Sequence, residues 1–160
     1  MKITSPAFHA QAEIPQQFTC EGANVSPPIT IDADSTGAKS LAIVVDDPDS
    51  PSGGFVHWIV YNLPPSTQAL PADATTDVLP PGAELGTNGF ALVGWAGPCP
   101  RGAGRRHHYV FTLYALDEVL PDLEAPTKAE LARAMRGHII DEAKLVGTYQ
   151  LKHEPMGSRT

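Results

Sequence analysis

Apolar residues in this chain fall into short blocks cut by proline and glycine, and most blocks are the length of a β-strand. Leu41-Ala42-Ile43-Val44-Val45 is a continuous apolar run that stops at Asp46. With no polar alternation, it reads as a strand buried on both faces. Val56–Leu63 is a second such run, stopped by Pro64-Pro65. Tyr109–Leu116 is the clearest long strand, rich in the aromatic and β-branched residues that suit a pleated surface. Ile29–Ile31 and Leu145–Leu151 predict two further strands, and Phe8, Ile14 and Phe18 mark a Pro-interrupted extended segment over 8–19. Residues 64–88 read as a long surface connection, and Gly86–Gly97 as a loop with a short strand.

One segment breaks the pattern. Thr127 and Glu130 have the spacing of a capping box, and Leu131, Met135, Ile139 and Ala143 recur every four residues. That spacing predicts a helix running through 143, with Gly137 inside it as a point of close packing. Six to nine strands with one or two helices, in this order, predict an antiparallel β-sandwich with helical decoration.

Composition narrows the picture without changing it. The chain has 160 residues, the size of one domain, and 42% hydrophobic with 18% charged residues is a globular balance. Sixteen prolines and fourteen glycines, spread along the chain, favour many turns over long helices. The formal net charge of −7 argues against binding nucleic acid or anionic membranes through a general basic face. Arg101, Arg105 and Arg106 nevertheless crowd into one loop beside His107 and His108. No apolar run is long enough for a membrane span, and the N-terminal residues lack a signal-peptide core, so the expected location is the cytoplasm. There, Cys20 and Cys99 are expected to be two free thiols.

The candidate chemistry sits at strand ends. Pro48 and Pro51 stiffen the turn carrying Asp47 and Asp49; if it is extended, one carboxylate faces a pocket while the other braces the loop. His57 and Trp58 are expected on opposite faces of their strand. His107 and Tyr109 share a face with His108 opposite, and a same-face His and Tyr can donate to an oxyanion. Gly97, Pro98, Cys99 and Pro100 would form a rigid wall close to a ligand. Each element alone also reads as ordinary structure: a turn capped by Asp, or a core histidine. There is no G-x-S-x-G, Walker, H-E-x-x-H or C-x-x-C motif. A metal site built from Asp47, Asp49, His57 and His107 and a Cys99 nucleophile with His57 or His107 as base are weaker alternatives.

Together these elements resemble the phosphatidylethanolamine-binding protein family, in its bacterial and archaeal branch. The resemblance is carried by Asp47-Pro48-Asp49-Ser50-Pro51, by His57-Trp58, by Gly97 to Gly102 and by His107 to Tyr109. Outside the pocket it includes Phe18 to Gly22, Asn24 to Pro28, Asn62 to Pro64, Asn88-Gly89-Phe90, Phe111 to Leu116, Ala134 to His138 and Leu145 to Tyr149. It implies a two-sheet antiparallel sandwich, with one domain over 1–151 and a flexible tail over 152–160. It also implies a pocket for phosphate-like or carboxylate-like anions, including a phosphoethanolamine headgroup.

Carried over by position, Asp47, His57, Gly97, Pro98, Pro100, His107 and Tyr109 line that pocket and Asp49 supports it. An anion beside Asp47 makes sense only if that carboxylate orients an imidazole or meets a ligand ammonium. The implied role is a non-enzymatic modulator of a kinase or other partner, monomeric or homodimeric, with no metal or other cofactor. The competing reading is an enzyme using His57 and Asp47 as an acid–base pair, hydrolase- or lyase-like. The resemblance also places the Cys20 and Gly97–Gly102 loops near the same pocket, where a disulfide or redox-sensitive pair would affect ligand access. Ser50, Arg101, His108 and the long basic stretch 103–106 depart from the family pattern.

Overall fold

A computed structural model describes residues 1–100 and 105–152. Arg101 and most of the predicted tail lie outside the described residues. Among the described residues eight strands form two antiparallel sheets. The smaller sheet orders β1 (Lys2–Thr4), β2 (Ile29–Asp32) and β5 (Ala69–Leu70). The larger contains β3 (Ser40–Asp47), β4 (Phe55–Leu63), β6 (Glu84–Leu85), β7 (Arg106–Leu116) and β8 (Ile139–Gln150), in the order β6-β4-β3-β7-β8. The expected mostly-β, two-sheet sandwich is therefore the observed one. The connection over 64–88 is less open than its composition predicts: it supplies β5 and β6 and buries Leu70, Ala74, Leu79 and Ala83.

The main core lies between the sheets. Ile3, Ile29, Ile31 and Leu70 from the small sheet meet Leu41, Ile43, Val45, Val60, Phe111 and Leu113 from the large one. The far face of the large sheet carries a second cluster, in which Ala42, Val44, Ile59 and Tyr61 pack under Leu131 and Met135 of α1 (Lys128–Met135). Alternate residues of β3 thus enter different cores. This is why its sequence shows no polar alternation. A fully buried side chain of this size contributes about 1.5–3 kcal/mol.

The helix begins where its capping box predicts: the Thr127 side chain accepts from the Glu130 backbone N–H, and the Glu130 carboxylate accepts from the Thr127 backbone N–H. It ends earlier than the apolar spacing predicts. Gly137 has φ +83°, a left-handed conformation that stops a helix, and the chain turns directly into β8. Ile139 is 42% exposed on that strand, not buried on a helix face. The residue assigned to close packing inside the helix is its terminator. Strand β8 is correspondingly longer than the segment Leu145–Leu151. Lys152, assigned to the tail, is held by its backbone N–H donating to Glu21 at 2.7 Å and by its ammonium on Glu13.

Candidate functional site

Three strand ends meet at one end of the large sheet. β3 contributes Asp47, β4 begins with Phe55 and His57, and β7 begins with His107 and Tyr109; the segment 96–100 closes the side. Between them is a cleft of about 320 Å³. Strand register makes the meeting possible: Asp47 stands opposite Phe55, and Asp46 opposite Val110.

A β-bulge decides where His57 points. Val45 faces Trp58 and Asp46 faces Val56, leaving His57 as an extra residue in β4. A bulge cancels one step of alternation. The expectation that His57 and Trp58 take opposite faces is therefore corrected. Trp58 joins the core between the sheets, while His57 lies against the ring of Tyr109 at the cleft, with centroids 5.2 Å apart.

Asp47 has both carboxylate oxygens engaged by protein. Oδ2 accepts from His107 Nδ1 at 2.6 Å, and Oδ1 accepts from the Asp49 backbone N–H at 2.8 Å. The two side chains are 5% and 6% exposed, so each is the other's necessary partner. Asp47 thus takes the imidazole-orienting role, toward His107 and not His57. With Nδ1 committed, the second nitrogen of His107 is left for the cleft that the ring lines.

His57 is held differently. Its Nδ1 lies 2.5 Å from the Ala96 carbonyl, which can only accept, so Nδ1 carries the hydrogen and Nε2 keeps a lone pair in the neutral ring. Burial holds its pKa below the ordinary 6.5, outweighing the opposing pull of the Ala96 carbonyl and Asp47. The unfolded ring therefore protonates first as pH falls. The stabilisation from the neutral buried ring is complete above about pH 6.5 and is lost below it, with a slope of at most about 1.4 kcal/mol per pH unit. Denaturant titrations at pH 5.5 and 7.5 should show a smaller pH dependence in His57→Asn than in the native protein; equal slopes would refute this account.

The Tyr109 hydroxyl is buried and has no hydrogen-bond partner among the described residues. Burial first, then the Asp47 charge, push its pKa far up, so it remains a protonated donor. An orphaned buried hydroxyl costs about 1–3 kcal/mol. This one belongs to a ring that lines an open cleft.

The remaining sequence-predicted residues divide. Pro100 faces the cleft together with Cys99. Gly97 and Pro98 stand behind the wall. The Gly97 N–H donates to Asn24 Oδ1 at 2.7 Å, and a Cβ on Gly97 would come within 2.2 Å of the Phe18 carbonyl oxygen, so only glycine fits. The Pro98 carbonyl accepts from Cys20 N–H at 3.1 Å. Asp49 turns outward, accepting from the His108 backbone N–H at 2.7 Å and pairing with its Nδ1 at 2.8 Å. That side-chain hydrogen bond holds the Asp49 carboxyl below its usual range. Asp49 therefore braces the turn to β7, as one of the two carboxylates is expected to do.

Two apolar residues of the site escaped the sequence reading. Phe55 and Phe90 pack edge-on at 4.7 Å and form the apolar wall. Phe90 rides a turn organised by the buried Asn88, whose side-chain oxygen accepts from Phe90 N–H at 2.8 Å. The signal for Phe55 was its period-2 spacing from His57, since the two share a face of β4 and both line the cleft.

Cys20 and Cys99 are joined, with Cα atoms 5.4 Å apart, which corrects the expectation of two free thiols. The bridge also removes the Cys99 nucleophile. Among the described residues no three His, Cys, Asp or Glu side chains gather as a metal would require, and the outward Asp49 breaks up the four-residue set. Arg105 and Arg106 are exposed at the start of β7.

The family model described as phosphatidylethanolamine-binding protein matches residues 4–150. A UPF0098 protein of Methanothermobacter thermautotrophicus is 42% identical over 94% of this chain and 99% of its own length. A crystal structure of a phosphatidylethanolamine-binding protein homologue from Chlamydia trachomatis superposes with a TM-score of 0.86 at 41% identity, covering 94% of this chain and 97% of that one. E. coli YbcL, described as a new member of the mammalian family, gives a TM-score of 0.87 at 31% identity, covering 94% and 98%.

Proposed function

Because this chain belongs to the phosphatidylethanolamine-binding protein family, we propose that its cleft binds a small oxyanion, phosphate-like or carboxylate-like, including the phosphoethanolamine headgroup. The observation that carries the reading is the Tyr109 hydroxyl, a buried donor with no acceptor among the described residues. An anionic ligand oxygen supplies what it lacks. The second nitrogens of His57 and His107 complete the set: they accept from a ligand P–O–H or, once protonated, donate to its oxygens. Asp47 repels such a ligand less than a free carboxylate would, because donation from His107 and the Asp49 backbone N–H occupies its oxygens and offsets part of its charge. That occupancy also disfavours a direct contact between Asp47 and a ligand amine, so the phosphate, not the ammonium, is the recognised half of a headgroup.

Tyr109→Phe separates binding from stability. Removing an unpaired hydroxyl should leave the ligand-free protein as stable as before or more stable, by up to about 1–3 kcal/mol. Inorganic phosphate at 100 times its Kd stabilises the native protein by about 2.7 kcal/mol through mass action. The variant should lose most of that gain. Thermal denaturation with and without phosphate, phosphoethanolamine or acetate measures both effects; full ligand stabilisation in Tyr109→Phe would sink the reading.

The proposal includes a modulating role toward a protein partner such as a kinase. Its support is the exposed apolar group Phe90, Leu92 and Val93 on one loop, of which Phe90 lines the cleft. A cytoplasmic setting fits this chain less well than the sequence suggests, since a bridge such as Cys20–Cys99 persists in oxidising surroundings.

A further inference from the structure

We infer that this cleft also catalyses proton transfer at the carbon beside a carbonyl, with His107 as general base and Tyr109 as the donor that holds the enolate oxygen. The inference shares the Tyr109 hydroxyl with the anion-binding reading and goes beyond it by assigning a reaction.

The geometry is that of a base with its orienting partner. Asp47 accepts from His107 Nδ1 at 2.6 Å. In the neutral ring this places the lone pair on the other nitrogen and stabilises the imidazolium that forms when that nitrogen takes a proton. Asp47 is itself positioned by the Asp49 backbone N–H at 2.8 Å. Two residues from His107 on the same face, Tyr109 lines the cleft with its ring and carries a buried hydroxyl that has no partner among the described residues. A donor with no ground-state partner in a low-dielectric wall is well placed to meet charge that develops on a carbonyl oxygen. Its high pKa means that it donates a hydrogen bond without losing its proton.

The cleft is poorly equipped for covalent chemistry. Cys99 is bridged to Cys20, and the Ser50 hydroxyl pairs with that of Ser52 at 3.1 Å. Proton transfer needs neither a nucleophile nor a co-reactant. Phe55 and Phe90 supply an aromatic wall beside the polar groups. The substrate class is therefore a small aryl 2-oxo acid or a related aryl-substituted carbonyl compound with an acidic neighbouring C–H.

The step balances as an isomerisation. His107 Nε2 takes the proton from the carbon beside the carbonyl, and that C–H electron pair becomes the new C=C bond. The C=O π pair moves to oxygen, where Tyr109 O–H holds it. The imidazolium, paired with Asp47, returns its proton to oxygen to give the enol or to carbon to regenerate the ketone. No atom or electron is gained or lost.

The test follows exchange of the C3 hydrogens of phenylpyruvate in D2O by NMR, in a phosphate-free buffer. The native protein is expected to raise the exchange rate at least about 100-fold over buffer, the lower range of general acid–base contributions. Tyr109→Phe, which removes only an unpaired hydroxyl, should reduce the catalysed rate about 100- to 1,000-fold. His107→Gln should abolish it, and inorganic phosphate should inhibit the native protein competitively. Exchange at the buffer rate in the native protein, or catalysis unchanged in both variants, overturns the inference. If exchange fails while phosphate still raises the melting temperature of the same sample, the anion-binding reading stands and only the catalytic one falls.

Discussion

Reducing the Cys20–Cys99 bridge is expected to lower the stability of this protein by about 4–5 kcal/mol, the loop-closure value for a cross-link spanning 79 residues. For a chain of this length that corresponds to a fall in melting temperature of roughly 10–20 °C. The loss arises mainly in the unfolded chain, which regains the freedom the cross-link removes. The folded wall keeps its other ties: Gly97 N–H to Asn24 Oδ1 at 2.7 Å, Trp95 Nε1–H to the Phe18 carbonyl at 3.1 Å, and Cys20 N–H to the Pro98 carbonyl at 3.1 Å. The reduced protein should therefore fold to the same structure while unfolding earlier. Thermal unfolding with and without a dithiol reductant, repeated on a Cys20→Ser, Cys99→Ser double variant, measures the effect. A loss under about 1 kcal/mol in both would refute the assignment of a stabilising bridge.

Replacing Asp47 by Ala is expected to cost about 3–5 kcal/mol, the usual penalty for breaking a buried pair by removing one partner. The cost is set by what remains. His107 keeps a buried ring nitrogen without its acceptor, and the Asp49 backbone N–H loses its own. Removing both partners should cost less than the sum of the two single changes, because neither is then stranded. A double-mutant cycle with His107→Ala, read by denaturant unfolding, checks this, and simple additivity would show that the 2.6 Å contact contributes little.

Much of the scaffold was legible in the chain. The run over Leu41–Val45 shows its double burial directly, since a strand covered on both sides has no face left for polar residues. Thr127 and Glu130 announce the helix start because a capping box involves only residues three apart. The helix end was not legible from apolar spacing. Leu131 and Met135 face the sheet, but Ile139 continues the same spacing by coincidence, and the backbone at Gly137 has already left the helix.

The site was legible as a set of residues but not as a network. Asp47, His57, Pro100, His107 and Tyr109 do line one cleft. Which histidine Asp47 would orient was not readable, because the choice depends on the register of β3 against β7 and on one extra residue in β4. Phe90 stood among residues placed outside the pocket, and only the fold of the Asn88 turn carries it to the mouth.

By itself, then, the amino-acid sequence determined the strand-rich sandwich, the start of its helix, the family and the polar residues Asp47, His57, His107 and Tyr109 of the cleft, since these follow from local periodicity, turn chemistry and motif order. Tertiary structure alone decided the Asp47–His107 pair, the inward turn of His57, the unpaired Tyr109 hydroxyl and the union of Cys20 with Cys99. Each depends on distances between segments far apart in the chain, and register, bulges and close backbone approach set those distances.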